Sequence, residues 1–163
     1  MIIYLINNHT LKVDDFYFHC VIGKNGTSNK KIEGDKKTPI GTYKLGDLYY
    51  RKDRSVKPET KLKCIEIKKN MGWCNDLKNK KKYNKLIKEN KEIKHEKLFR
   101  ADHLYDFFIP IKYNSDKIIV GKGSCIFIHL THNFKPTAGC IALKKNDFLI
   151  LLKLLKKNTK IKI

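Results

Sequence analysis

The stretch "IFIHLTHNFKPTAGCIAL", residues 126–143, is the part of the chain from which both fold and chemistry are predicted. It begins and ends with apolar residues of the kind that form buried strands, so it predicts two strands joined by a loop. The loop and its flanks carry His129, His132 and Cys140, with Gly139 directly before the thiol. Two interpretations follow: an ordinary buried cysteine, or a nucleophile with its base.

A nucleophilic cysteine needs a base that takes its proton, access to substrate, and donors for the oxyanion that forms. His129 stands at the end of a predicted strand, where its ring can reach Cys140 as the base. Gly139 lets the backbone take an unusual dihedral angle and approach a substrate closely. The Thr137 hydroxyl can hold the turn or a substrate group. Because free cysteines are commonly buried as small apolar residues, spacing alone leaves both interpretations open.

The rest of the chain is dominated by short strands with turn signals between them. Strands are predicted at "IIYLIN", "FYFHCVIG", "TYKLGDLYYR", "KCIEIKK", "LYDFFIPIKYN" and "SCIFIHL". Residues 70–100 mix polar runs with "MGWCNDL" and "YNKLIKEN" and look like a long insertion with at most one short helix. The segment "TKIKI" looks like an edge strand. One strong helix is predicted at "NDFLILLKLLKKN", since it opens on Asn and Asp and closes on lysines. The fold class predicted is mainly β, with one or two short helices and a helix in the C-terminal region.

The length of 163 residues fits one domain, which we place at residues 1–163. No apolar run approaches the roughly 18 residues that a transmembrane helix needs. The N-terminal sequence "MIIYLINNHTLKV" lacks the basic start of a signal peptide and reads as a strand. Localisation therefore stays open, and a monomer is expected.

The net charge of +20 suggests a polyanion as a possible partner. However, only three of the 36 basic residues are arginines, and the lysines are spread along the whole chain. Arginine is the residue that reads bases and phosphates through two parallel hydrogen bonds. A solvated lysine surface is thus favoured over a specific nucleic-acid site. The five cysteines include no C-x-x-C pair, which disfavours both a disulfide framework and a zinc ribbon.

The segment "KPTAGCIALKKNDFLILLKLL" resembles the active-site segment of the L,D-transpeptidase catalytic-domain family, also called YkuD-like. The hallmark of that family is an upstream histidine followed by Ser/Thr-x-Gly-Cys-hydrophobic, matched here by His129, Thr137, Gly139, Cys140 and Ile141. Three further segments resemble one branch of the family in the same order: "GKNGTSNKKIEGDKKTPIGTYKL", "LYYRKDR" with "GWCNDLKNKKKYN", and "HEKLFRADHLYDFFIPIKYN" with "GKGSCIFIHL". The resemblance therefore covers nearly the whole chain.

The resemblance implies a mixed, β-sandwich-like fold and acyl transfer on peptidoglycan stem peptides. In that reaction Cys140 forms a thioester, His129 is the base, and Thr137 and Gly139 shape the nucleophile turn. No metal or organic cofactor is implied. The chain departs from many members at Ala138 and Ala142, which affects the expected acceptor and substrate specificity.

Arg100, His132 and Trp73 are weaker candidates for substrate binding. Arg100 is expected to pair with Asp102 or to bind a substrate carboxylate. His132 is expected on an exposed loop or in the cleft, and Trp73 in the core or on the cleft wall. Glu33, Asp35 and Thr38 match family positions and are expected to shape a loop, since their segment is rich in turn formers.

Two other functions compete with transpeptidation. An L,D-carboxypeptidase or amidase would use the same Cys–His pair, with water in place of an amine. A non-catalytic basic module would bind polyanions with a steep dependence on salt and without any need for Cys140.

Overall fold

The computed structural model describes residues 1–163 and is built mainly from strands. The helix α1 spans Lys145–Leu154. The strands are β1 (Ile2–Asn7), β2 (Thr10–Val13), β3 (Phe16–Val21), β4 (Thr27–Ser28), β5 (Thr38–Pro39), β6 (Thr42–Lys44), β7 (Leu48–Tyr50), β8 (Cys64–Glu66), β9 (Met71–Cys74), β10 (Leu86–Lys88), β11 (His95–Lys97), β12 (Phe107–Pro110), β13 (Phe127–Leu130), β14 (Ile141–Leu143) and β15 (Lys160–Lys162). The mainly β fold class and the helix near the C-terminus are confirmed.

Ten strands form one mixed sheet in the order β6-β15-β1-β2-β3-β14-β13-β12-β7-β8. The strands β1, β2 and β3 form a meander, with antiparallel pairing throughout. β15 pairs in parallel with β1 and antiparallel with β6, so the two ends of the chain lie side by side. The prediction that "TKIKI" forms an edge strand is therefore wrong, because both of its edges are paired.

The main core lies between this curved sheet and one face of α1. Phe148, Leu151 and Leu152 of the helix are fully buried and join a cluster of 23 apolar residues drawn from most of the sheet. Asp147 in the first turn and Lys153 in the last complement the helix dipole. The helix ends at Leu154, so Lys156 and Lys157, on which the predicted segment closes, lie beyond its end. A second cluster of eight buried residues, which includes Cys140 and Phe127, packs on the other side of β13.

Residues 70–100 contain no helix and the chain forms none besides α1, so the prediction of one or two short helices is wrong. The segment instead forms a three-stranded sheet in the order β10-β9-β11. Asn84 takes a positive φ of 56°, a conformation that ends rather than continues a right-handed helix. Its side chain donates to the carbonyl groups of Tyr113 and Asn114 and accepts from the Trp73 indole. These long-range bonds hold the insertion against the main sheet.

The helix α1 lacks the length and the apolar character that crossing a membrane requires.

Candidate active site

His129 lies on β13, and Cys140 directly precedes the adjacent strand β14, in the middle of the large sheet. β13 and β14 run parallel, with Ile128 opposite Ile141 and His129 opposite Ala142. Because side chains alternate along a strand, Cys140, two residues before Ala142, faces the same side of the sheet as His129. Each of the two residues is 7% exposed. Both line one cleft of about 390 Å³.

The backbone before Cys140 is held in a tight turn by Thr137. The Thr137 hydroxyl donates to the Cys140 carbonyl oxygen over 2.6 Å and accepts from the Gly139 amide over 3.1 Å. Gly139 has a φ of 139°, and a Cβ atom there would lie 2.8 Å from the Lys37 carbonyl oxygen. Glycine is thus required both by the backbone conformation and by the close approach of the neighbouring loop.

Thr38, which directly follows Lys37, is hydrogen-bonded to the turn that precedes Cys140. Its hydroxyl donates to the Gly139 carbonyl oxygen and accepts from the Gly23 amide, each over 2.9 Å. The sequence predicts that Thr38 shapes the loop of its own segment, whereas the structure places it in β5, bonded to the turn that precedes Cys140.

The Cys140 thiol is held by the backbone at the start of β13. Sγ donates to the Cys125 carbonyl oxygen over 3.2 Å and accepts from the Phe127 amide over 3.4 Å. Burial, followed by the negative charge of Glu96, raises the pKa of the thiol to about 12, against smaller opposing effects of the Phe127 amide and Lys31. The resting thiol is therefore neutral at pH 7.

His129 is held in the tautomer that a base requires. Its Nδ1 lies 2.8 Å from the Leu130 carbonyl oxygen, which only accepts hydrogen bonds, so Nδ1 carries the proton. Nε2 is then left with a free lone pair. Burial lowers the pKa of His129 to about 4, although the bond to Leu130 opposes the shift. The imidazole is neutral at pH 7, and so able to accept a proton.

Charged side chains from three other segments line the same cleft: Lys31, Glu33, Glu96 and Arg100. Lys31 forms an ion pair with Asp35 over 2.7 Å.

The two glutamates of the cleft each accept hydrogen bonds from neighbouring hydroxyl groups. Glu33 accepts from the Ser124 hydroxyl over 2.6 Å and also from the Tyr83 hydroxyl. Glu96 accepts from Tyr105, and burial raises the pKa of this carboxyl group. The cleft thus presents both signs of charge to a substrate.

The three residues predicted to bind substrate have different positions. Arg100 lines the cleft and forms the expected ion pair with Asp102, at 2.5 Å from Nη2. His132 lines the cleft at its exposed rim. Trp73 does not line it: its ring packs edge-on against Phe127, with ring centroids 5.2 Å apart. The structure therefore brings Arg100 and His132, but not Trp73, to the predicted catalytic pair.

Sequence reasoning missed Lys31, Glu96, Tyr105 and Cys125 as cleft residues. Lys31 belongs to the segment "KKIEGDKKTP", so the spacing of that motif was a usable signal. Glu96 lies in "KHEKL", where no local pattern separates it from surface glutamates. No group of three or more His, Cys, Asp or Glu side chains is arranged to hold a metal ion.

Comparison with known proteins identifies one family. The family model YkuD, described as the L,D-transpeptidase catalytic domain, matches residues 2–163. No curated protein matches the chain. Among solved structures, the crystal structure of the helical cell shape determining protein Pgp2 from Campylobacter jejuni matches at 20% sequence identity and a TM-score of 0.49. The match covers 99% of this chain and 45% of that one, so the chain spans less than half the length of Pgp2.

Proposed function

Because the chain belongs to the L,D-transpeptidase catalytic-domain family, whose members modify peptidoglycan, we propose that it transfers acyl groups between peptidoglycan stem peptides through a thioester on Cys140. His129 is the general base, and residues 1–163 form one catalytic domain. The pairing of β15 with β1 supports the single domain, because both chain ends then belong to the sheet that carries the site.

The observation that carries this proposal is the parallel register of β13 and β14. It places the Cys140 and His129 side chains on one face of the sheet, at the wall of one cleft. A buried cysteine of purely structural role requires no histidine beside it, and no cleft. The free Nε2 lone pair of His129 supports the role of base.

The first half of the reaction forms the thioester. As substrate enters, the thiol proton passes from Cys140 Sγ to His129 Nε2, and Sγ bonds to the carbonyl carbon of the stem peptide. Both groups are neutral beforehand, since burial disfavours the charged form of each. His129 then gives the proton to the leaving amino group as the carbon–nitrogen bond breaks.

The oxyanion of this step needs a hydrogen-bond donor close to the nucleophile. The Gly139 amide is already bound to Thr137, whereas the Cys140 amide has no partner within the chain. We assign the Cys140 amide to the oxyanion. Arg100 has an Nη1 that is free of hydrogen bonds, and we assign it to bind a substrate carboxylate. We assign His132 to contact the substrate at the rim of the cleft.

A β-lactam tests the acylation step, because its strained carbonyl reacts with an activated nucleophile. The intact protein is incubated with a carbapenem, and its mass is compared with that of Cys140→Ala and of Cys64→Ala, a matched control at a partly exposed cysteine. One adduct is expected in the wild type and in Cys64→Ala, and none in Cys140→Ala. An adduct that persists in Cys140→Ala would overturn the assignment of the nucleophile.

Purified muropeptides then separate transfer from hydrolysis. A cross-linked product means that an amine resolves the thioester, which is the proposed reaction. Release of the terminal amino acid without a new cross-link would instead support an L,D-carboxypeptidase that uses the same pair. Salt-sensitive binding without either product, unaffected by Cys140→Ala, would support the polyanion-binding module.

A further inference from the structure

Lys31 is the one lysine among the buried residues of a chain that has lysines along its whole surface. It is 4% exposed, although a lysine side chain normally keeps its ammonium group in water. It lies in the loop between β4 and β5 and lines the cleft with Cys140 and His129. A buried charge is costly, so its position calls for a compensating interaction.

Two glycines with positive φ make room for this side chain. A Cβ atom on Gly123 would lie 2.8 Å from Lys31 Cε, so any other residue there would displace the lysine stem. A Cβ atom on Gly139 would lie 3.6 Å from Lys31 Nζ. The stem thus runs past Gly123, and the ammonium group ends beside the peptide that directly precedes Cys140.

Asp35 orients the ammonium group and leaves part of it free. Lys31 Nζ makes one hydrogen bond, to Asp35 Oδ1 at 2.7 Å, although an ammonium group has three donors. Asp35 is itself fixed by the amides of Ile32 and Lys37, each at 2.9 Å. Burial opposes ionisation of Asp35, but these bonds outweigh it and hold the pKa of the carboxyl group below its ordinary value. The pair is therefore charged, with two N–H groups of Lys31 unused.

The charges around the Cys140 thiol act in opposite directions. Glu96, on β11, raises the pKa of the thiol, and Lys31, on the β4–β5 loop, lowers it. Three further titratable groups in the cleft are Tyr105 and Cys125, which burial keeps neutral at pH 7, and the neutral His129. The remaining charged and titratable side chains that line the cleft are Arg100, Glu33, Lys135 and His132. Lys31 is the cation that approaches the nucleophile from the side of Gly139.

We propose that Lys31 supplies the positive charge that stabilises the negative charge formed at Cys140 during acylation. It acts first on the thiolate, as the proton moves to His129, and then on the oxyanion of the tetrahedral intermediate. Lys31 keeps all its protons, and the only proton that moves is the one carried by His129 to the leaving amine. The inference rests on the proposed function for the identity of the acyl donor, but not for the effect on the thiol.

The test is the rate at which iodoacetamide alkylates Cys140, followed by peptide mapping between about pH 8 and 10. The reagent reports on the thiolate alone and needs no peptidoglycan. Lys31→Met keeps the length of the side chain and removes the charge, and Glu96→Gln removes the opposing charge while keeping an acceptor for Tyr105. Alkylation is expected to slow by roughly three- to tenfold in Lys31→Met and to accelerate in Glu96→Gln. Below the pKa of the thiol, a change of one unit in that pKa changes the thiolate fraction about tenfold.

Opposite effects of the two variants on the alkylation rate would show that charge is the cause. A purely structural disturbance would not slow alkylation when a positive charge is removed and accelerate it when a negative charge is removed. Lys31→Arg is expected to restore most of the rate. Asp35→Asn, which leaves Lys31 in place without its counter-charge, is expected to accelerate alkylation, and it serves if Lys31→Met does not fold. An unchanged profile in Lys31→Met, or slower alkylation in Asp35→Asn, would overturn the inference.

The carbapenem adduct distinguishes this failure from failure of the proposed function. If the wild type is acylated and the variants are alkylated at the same rate as the wild type, only the role of Lys31 is wrong. If the alkylation rates of the variants change as expected and no acyl adduct forms, the proposed acyl transfer is wrong and the effect of charge on the thiol stands.

Discussion

The hydroxyl of Thr38 donates a hydrogen bond to the carbonyl oxygen of Gly139 over 2.9 Å, across 101 positions of sequence. The same oxygen atom of Thr38 accepts from the Gly23 amide, so one buried side chain joins three segments. Because Gly139 directly precedes Cys140, this contact fixes the backbone from which the thiol projects.

Replacement of Thr38 by valine is expected to destabilise the fold and to misplace the nucleophile. Valine keeps the shape but leaves a buried amide and a buried carbonyl group without partners, at a cost of about 1–3 kcal/mol. Urea unfolding measures this loss, and carbapenem acylation is expected to slow in the same variant. Thr38→Ser keeps the hydroxyl and is expected to retain most of the acylation rate. Equal stability of Thr38→Val and wild type would contradict the role of this bond.

Replacement of Gly139 by alanine is expected to lower the free energy of unfolding by more than the strain of its backbone conformation alone. The matched control is Gly26→Ala, because Gly26 also has a positive φ but would place its Cβ atom in open space. The control is expected to lose about 1–2 kcal/mol from backbone strain. Gly139→Ala adds the 2.8 Å approach to the Lys37 carbonyl group and a φ of 139°, which alanine tolerates less well than the 75° of Gly26, and is expected to lose about 1–3 kcal/mol more than the control. Similar unfolding free energies for the two variants would show that the backbone at Lys37 can shift away from an added Cβ atom at little cost in stability.

The pH dependence of acylation is expected to follow His129 rather than an ordinary histidine. Acylation needs the neutral imidazole, and burial lowers the pKa of His129 to about 4. The rate of carbapenem acylation is therefore expected to rise through about pH 4 and to change little across the ordinary histidine range near 6.5. The pseudo-first-order rate, measured from acid to neutral pH, checks this. A midpoint near 6.5 would mean that His129 is solvated or is not the base.

The same group is expected to make stability depend on pH. His129 binds a proton less readily in the folded chain than in the unfolded one, so the unfolded state gains protons first as the pH falls. Stability is therefore complete above about pH 6.5 and is lost between about 6.5 and 4, by at most about 1.4 kcal/mol per pH unit. Urea unfolding at several pH values measures this slope. His129→Gln is expected to lack that part of it, and an identical slope in both proteins would contradict the buried neutral state.

The sequence by itself determined the strand-rich fold, the presence of a helix in the segment "NDFLILLKLLKKN", and the choice of Cys140 and His129 as candidates. These depend on local patterns: β-branched and aromatic runs, an apolar run that opens on an acidic residue, and a short motif around a thiol. Neighbouring residues carry such patterns, so no knowledge of distant contacts is needed to read them.

Only the tertiary structure decided which other side chains face the cleft. Lys31 and Glu96 look like surface residues in a lysine-rich chain, and only the packing of the β4–β5 loop and β11 brings them near Cys140. The pairing of β15 on both edges, the sheet at residues 70–100 and the placement of Trp73 outside the cleft likewise depend on partners far along the chain. Local propensity does not specify such partners, because burial and hydrogen bonding between distant segments override it.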